Sequence, residues 1–177
     1  MWRMIVEADF KGRPDLKFVT AGEPLPRDLI QPMLDRCGEV WNLYGPTETT
    51  VYSSGTRIFN DHDPILIGKP IANTQIYIVD KNGDLCPPEK PGELLIGGDG
   101  MTLGYLNRPE LTAEKFVKRE GQRVYRTGDL AAMTGDGQIN HMGRIDNQVK
   151  YNGHRIELGE IEKVIQRAKE AKQVGST

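Results

Sequence analysis

The stretch Glu39-Val40-Trp41-Asn42-Leu43-Tyr44-Gly45-Pro46-Thr47-Glu48 decides the fold. Its first six residues read as a strand. Gly45-Pro46 then ends it in a turn, because proline offers no N–H to a ladder and glycine accepts a sharp backbone path. Upstream, Leu25, Leu29, Ile30, Met33 and Leu34 recur at helical spacing, with prolines at the start and Gly38 just past the end. That predicts one amphipathic helix within residues 24–38. A further strand fits residues 16–20. Strand, helix and strand in this order predict a β-α-β unit whose strands run into loops, where α/β proteins hold ligands.

Downstream of about Asp61 the texture changes. Short apolar runs such as Ile76-Tyr77-Ile78-Val79 and Leu94-Leu95-Ile96 are separated by Asn82-Gly83, Pro87-Pro88 and Gly97-Gly98. This pattern predicts an antiparallel β-subdomain reaching residue 143, interrupted by a short helix over 109–117. After Arg144 a hairpin is expected over 148–157, turning at Asn152-Gly153, and then a helix with Ile161, Val164, Ile165 and Ala168 on one face. A hairpin and one helix bury too little to form a core. The expected division is an α/β part over 1–60, a β-rich part over 61–145, and the beginning of a second domain over 146–177.

Composition narrows the function. Hydrophobic residues make up 37% and charged residues 27% of the 177, which fits a soluble globular chain, and no apolar run is long enough to span a bilayer. With 23 basic against 25 acidic residues there is no field to steer a nucleic acid or an anionic membrane, so neither is an expected partner. Cys37 and Cys86 stand without further Cys or His at metal-ligand spacing, which argues against zinc or a disulfide scaffold. The N-terminal residues lack a signal-peptide core, and a cytoplasmic location is expected.

Four segments carry candidate chemistry. Tyr44, Thr47 and Glu48 leave one tight bend: an aromatic ring can stack on a base, a hydroxyl can bond a phosphate oxygen, and a carboxylate can hold magnesium. A plain turn in which Thr47 caps accounts for the same residues equally well. Asp129, in Tyr125-Arg126-Thr127-Gly128-Asp129-Leu130, could take both hydroxyls of a ribose or serve as a turn aspartate. The glycine-rich segment from Gly92 to Pro109 lacks the Gly-Lys-Ser/Thr ending and the dinucleotide spacing, so it reads as structural. Last, the run from Gly143 to Lys150 sets Arg144 and Asp146 at the junction of two domains, as surface charges or as a clamp and hinge.

In this order and at these separations, the four segments resemble the amino-acid adenylation domains of nonribosomal peptide synthetases, within the superfamily of acyl-CoA synthetases and firefly luciferase. The resemblance runs from about residue 1 to 173. It implies an α/β fold with a β-rich, distorted-barrel subdomain: the C-terminal part of the large adenylation domain plus the start of the small C-terminal domain. It implies an ATP- and Mg2+-dependent ligase that activates a carboxylic acid, an amino acid by this branch, as an acyl-adenylate. The acyl group then passes to the phosphopantetheine thiol of a peptidyl carrier protein.

By motif position the resemblance implies that Ala21, Gly22, Glu23, Asn42, Leu43 and Tyr44 surround the adenine, with Tyr44 stacked on it. Thr47 should meet the α-phosphate, Glu48 the magnesium ion, and Asp129 the ribose, with Arg144 beside it. His141 should lie near the nucleoside, although its residue context fits a solvent-facing strand position as well. Asp146 falls at the hinge, and Lys150 and Gly153 on a hairpin that turns inward for thiol transfer. The acyl pocket maps partly onto Val19, Ala21, Leu43, Val51 and Tyr52. The family's phosphate loop, its α-amino contact and its late lysine have no counterpart in these 177 residues, so nucleotide contacts without adenylation are expected of this chain alone. Two other readings share its features: an acyl-CoA or aryl-CoA ligase, against which the run from Gly45 to Thr50 speaks, and a noncatalytic nucleotide-binding module.

Overall fold

In the computed structural model, which describes residues 1–145, 149–151, 154–156, 161, 164 and 165, the strand that ends at Tyr44 is the centre of the first sheet. The chain opens with α1 (Trp2–Glu7) and continues into β1 (Arg13–Thr20), α2 (Arg27–Leu34) and β2 (Cys37–Tyr44). β1 and β2 are parallel, with Thr20 opposite Asn42, as a β-α-β unit requires. α2 is shorter than its apolar pattern, because Cys37 already belongs to β2. Its buried Leu29, Ile30 and Met33 pack with Phe18, Val40 and Ile58 in one core cluster. α1, not expected from the sequence, leans on that cluster through Trp2, whose ring centroid lies 4.6 Å from that of Phe18.

After a 3-10 turn at Thr47–Thr49, β3 (Ser54–Ile58) returns antiparallel to β2, and β4 (Lys69–Pro70) completes the order β1-β2-β3-β4. The second sheet comprises β5 (Thr74–Val79), β6 (Gly92–Gly98), β7 (Phe116–Arg119), β8 (Gln122–Met133) and β9 (Ile139–Arg144). Its order is β5-β6-β8-β7, with β9 also on β8. β7 and β9 pair with successive halves of the long β8. The helix expected over 109–117 is α3 (Pro109–Lys115). Phe116 and Val117 instead pair with Tyr125 and Val124, because an aromatic and a β-branched residue gain more on the sheet than in another helical turn.

A bridge between Gly68 and Ile139 joins the two sheets, and Tyr44 of the first packs into the core of the second with Ile67, Ile78, Leu94 and Ile139. Tyr44 is therefore fixed from both sides. β10 (Val149–Tyr151) pairs antiparallel with β11 (His154–Ile156), and Ile161, Val164 and Ile165 are helical, in line with the expected hairpin and helix. Ala168 lies outside the described residues. Among the described residues no helix is long and apolar enough to cross a membrane.

Candidate functional site

Because β1 and β2 run parallel and in register, the loop Ala21-Gly22-Glu23 emerges beside Leu43, Tyr44 and Gly45. Gly22 holds φ at +82°, a left-handed conformation that suits glycine. These two strand ends form one wall of a cavity of about 390 Å³; the facing wall carries Asp129, His141 and Arg144 from β8 and β9. Leu25, Ile65 and Ile67 give it an apolar side. Asn42 lines it too, while its amide donates to the Leu66 carbonyl at 2.8 Å and ties that side in place.

Asp129 is the electrostatic centre of the cavity. Gly128, with φ at +71°, breaks the regular register of β8, and Asp129 lies opposite Arg144 in the ladder. The Tyr44 hydroxyl donates to Asp129 Oδ2. Arg144 Nη1 stands 3.1 Å and His141 Nε2 3.4 Å from Oδ1. Arg144 also donates to the Thr127 carbonyl at 2.8 Å, which fixes the guanidinium. Burial alone would push the Asp129 carboxyl up, but the hydrogen bonds from His141 and Tyr44 and the charge of Arg144 outweigh it and hold the group below its ordinary value. The Tyr44 hydroxyl moves the other way, raised first by burial and then by the Asp129 charge.

Glu48 and Thr47 do not line this cavity. They face a second cavity of about 420 Å³ with Thr102, Tyr105 and Lys115. Thr47 is exposed, whereas Glu48 is 7% exposed and accepts a hydrogen bond from the Tyr105 hydroxyl at 2.6 Å. The turn beyond Glu48 is strained: Thr50 and Val51, both β-branched, hold φ at 58° and 68°. Of the residues expected to shape an acyl pocket, Val51 and Tyr52 belong to this turn, whereas Val19, Ala21 and Leu43 lie on or just after β1 and β2. Val19, Val51 and Tyr52 are exposed at 40%, 59% and 38%, Ala21 is exposed, and Leu43 is half-buried against the first cavity.

Lys150 lies in β10 opposite Arg155, and Asp146 and Gly153 lie outside the described residues. His141, open between solvent and site in the sequence, faces the cavity and packs its ring 5.6 Å from that of Tyr44. Tyr105 is a residue of this site that sequence reasoning missed. Its partner Glu48 is 57 residues away, and the only available signal was an aromatic residue beside Gly104 in a glycine-rich run.

Thr47 and Glu48 present a hydroxyl and a carboxylate, the oxygen donor types that a hard cation takes, and the described residues contain no group of three His, Cys, Asp or Glu able to cage an ion.

Comparison with known proteins places these features in context. A family model described as AMP-binding enzyme matches residues 1–106. Bacitracin synthase 3 of Bacillus licheniformis is 49% identical over 154 residues, covering 84% of this chain and 2% of its own length. A four-domain nonribosomal peptide synthetase solved with AMP and glycine superposes with a TM-score of 0.78 at 45% identity, over 94% of this chain and 13% of the other. The adenylation domain AlmE of Vibrio cholerae, in complex with glycyl-adenosine-5'-phosphate, gives 0.81 at 32% identity, over 94% of this chain and 34% of the other. This chain thus spans a small part of the relatives that it matches.

Proposed function

The chain belongs to the AMP-binding enzyme family, and from that premise we propose that it carries the nucleoside and metal contacts of an ATP-dependent ligase that adenylates an amino acid for transfer to a carrier-protein thiol. One observation carries this reading: Tyr44, Asp129, His141 and Arg144 converge on one cavity beside the Gly22-Glu23 loop, at the carboxyl ends of two parallel strands.

Each residue then has a task set by its geometry. The adenine lies between the Gly22-Glu23 loop and Tyr44. Asp129 receives the ribose. A carboxylate offers about four acceptor positions, and Tyr44, Arg144 and His141 supply three donors. One ribose hydroxyl can take the remaining position and a second can displace the long His141 contact. Arg144 keeps the carboxylate ionised and stationary throughout.

The α-phosphate lies toward Thr47, and Glu48 with the phosphate oxygens would hold magnesium. When bound there, the ion supplies neutralisation of phosphate charge. In the reaction, a substrate carboxylate oxygen attacks the α-phosphorus, the new P–O bond forms, and the bond to the bridging oxygen breaks with release of pyrophosphate. Val19, Ala21, Leu43, Val51 and Tyr52 would contribute to the acyl pocket, a largely apolar set with one phenol.

Asp129→Ala in the full-length protein tests the reading. Loss of charge-assisted hydrogen bonds to the ribose is expected to weaken AMP binding, measured by calorimetry, by about tenfold or more. Amino-acid-dependent exchange of pyrophosphate into ATP should fall with it. Unchanged AMP affinity would refute the ribose assignment.

A further inference from the structure

The glycine-rich segment from Gly92 to Pro109 reads from the sequence as structural, yet its second half folds directly over the turn that bears Glu48. Thr102 N–H donates to the Glu48 carbonyl at 2.9 Å, and the Thr50 hydroxyl donates to the Gly100 carbonyl at 2.7 Å. Gly100 sits so close that a Cβ there would stand 3.0 Å from the Thr49 carbonyl oxygen. The 98–105 loop is itself pinned from behind. Arg123 donates to the carbonyls of Thr102 and Leu103 at 2.6 and 2.7 Å, and Tyr105 N–H donates to Thr112 Oγ1 at 2.9 Å. Gly104, at φ +143°, lies where a Cβ would meet Thr112 Cγ2 at 2.4 Å, so a side chain there would push the loop away.

This scaffold delivers one functional group. The Tyr105 ring packs edge-on against Phe116 at 5.7 Å, and its hydroxyl ends 2.6 Å from Glu48 Oε1, with the Tyr125 hydroxyl 3.4 Å away. We propose that Tyr105 is a positioning residue for Glu48: the loop clamps the strained turn by its backbone and aims the carboxylate through the phenol. The proposal rests on the reading of Glu48 as the magnesium-holding carboxylate. A neutral phenol suits that task, because it fixes one carboxylate oxygen without cancelling the charge that a cation needs. Misplacement of such a group by about 1 Å commonly costs about a hundredfold in rate.

The test compares ATP and AMP binding by calorimetry, with and without Mg2+, in the full-length protein and its Tyr105→Phe variant. The gain in ATP affinity on adding Mg2+ is expected to shrink about tenfold in the variant, the scale of one hydrogen bond to a charged group. Metal-free AMP affinity and the unfolding temperature should stay near wild type. Gly100→Ala, which presses the loop away from Thr49 with the phenol intact, should shrink the same gain to a smaller degree and replaces the first variant if that one fails to fold. In a Glu48→Gln background, Tyr105→Phe should have no further effect. A wild-type Mg2+ response in Tyr105→Phe, with the response abolished in Glu48→Gln, would overturn the positioning role and leave the Glu48 assignment standing. An equal loss of AMP and Mg-ATP affinity would overturn it in favour of a general packing role. Glu48→Gln with an intact Mg2+ response would instead remove the assignment on which the proposal rests.

Discussion

Asp129 and Glu48 are both buried carboxylates, at 6% and 7% exposure, and both accept a tyrosine hydroxyl, but the structure holds them by different means. Asp129 is served by strands. The β8–β9 ladder sets Arg144 opposite it, with the guanidinium 3.1 Å away. Glu48 sits on a 3-10 turn whose exit is strained, and a folded-over loop supplies its phenol. The ladder brings a cation to Asp129, and the loop brings a phenol to Glu48. The first arrangement should therefore contribute mainly to stability and ribose binding, and the second mainly to function.

The largest test of this contrast removes each carboxylate in turn. Asp129→Ala takes the carboxylate from Arg144 in a largely buried site and leaves it the Thr127 carbonyl, and losing one partner of such an ion pair typically destabilises by about 3 kcal/mol. Glu48→Ala leaves the Tyr105 hydroxyl without that acceptor but with Tyr125 nearby, a loss of about 1 kcal/mol. Urea unfolding of both variants should show that order, and the reverse would break the comparison.

Tyr44→Phe should have a smaller effect. It deletes one donor to Asp129 while Arg144 and His141 remain, so about 1 kcal/mol of stability should be lost and the cavity wall kept. A loss as large as that of Asp129→Ala would mean that the phenol, not the cation, compensates the charge.

The smallest effect near neutrality concerns pH. The folded-state pKa of Asp129 is lowered, so its stabilising contribution is complete above the unfolded carboxylate value of about 3.9 and is lost as pH falls through the folded value. The stability difference between wild type and Asp129→Asn should not shrink between pH 8 and about 5, and should fall only below the ordinary carboxylate range. A difference that already shrinks between pH 7 and 5 would contradict the lowered pKa.

Much of the fold was legible because its signals are local. Apolar spacing marked α2, short apolar runs between turn residues marked β5 and β6, and a hairpin pattern marked the antiparallel pair β10 and β11. α1 carried no comparable signal: Trp2 and Val6 gain their place only by packing on the core beneath them. The end of α3 was misjudged for the same reason, since Phe116 is drawn into the sheet by Tyr125 from β8.

The site divides along the same line. Tyr44, Thr47, Glu48, Asp129 and Arg144 stood out as residue types in informative turns, and the order of their motifs matched a family. Which donor meets which carboxylate did not. Tyr44 reaches Asp129 across 85 residues and Tyr105 reaches Glu48 across 57. The sequence by itself determined the strand and turn types and the family, because backbone conformation and amphipathic period are set by neighbouring residues. Only the tertiary structure decided the pairing of each charge, the turning of His141 into the cavity and the closing of the 98–105 loop over Glu48. Those contacts depend on strand register and on packing between two sheets, which no local pattern encodes.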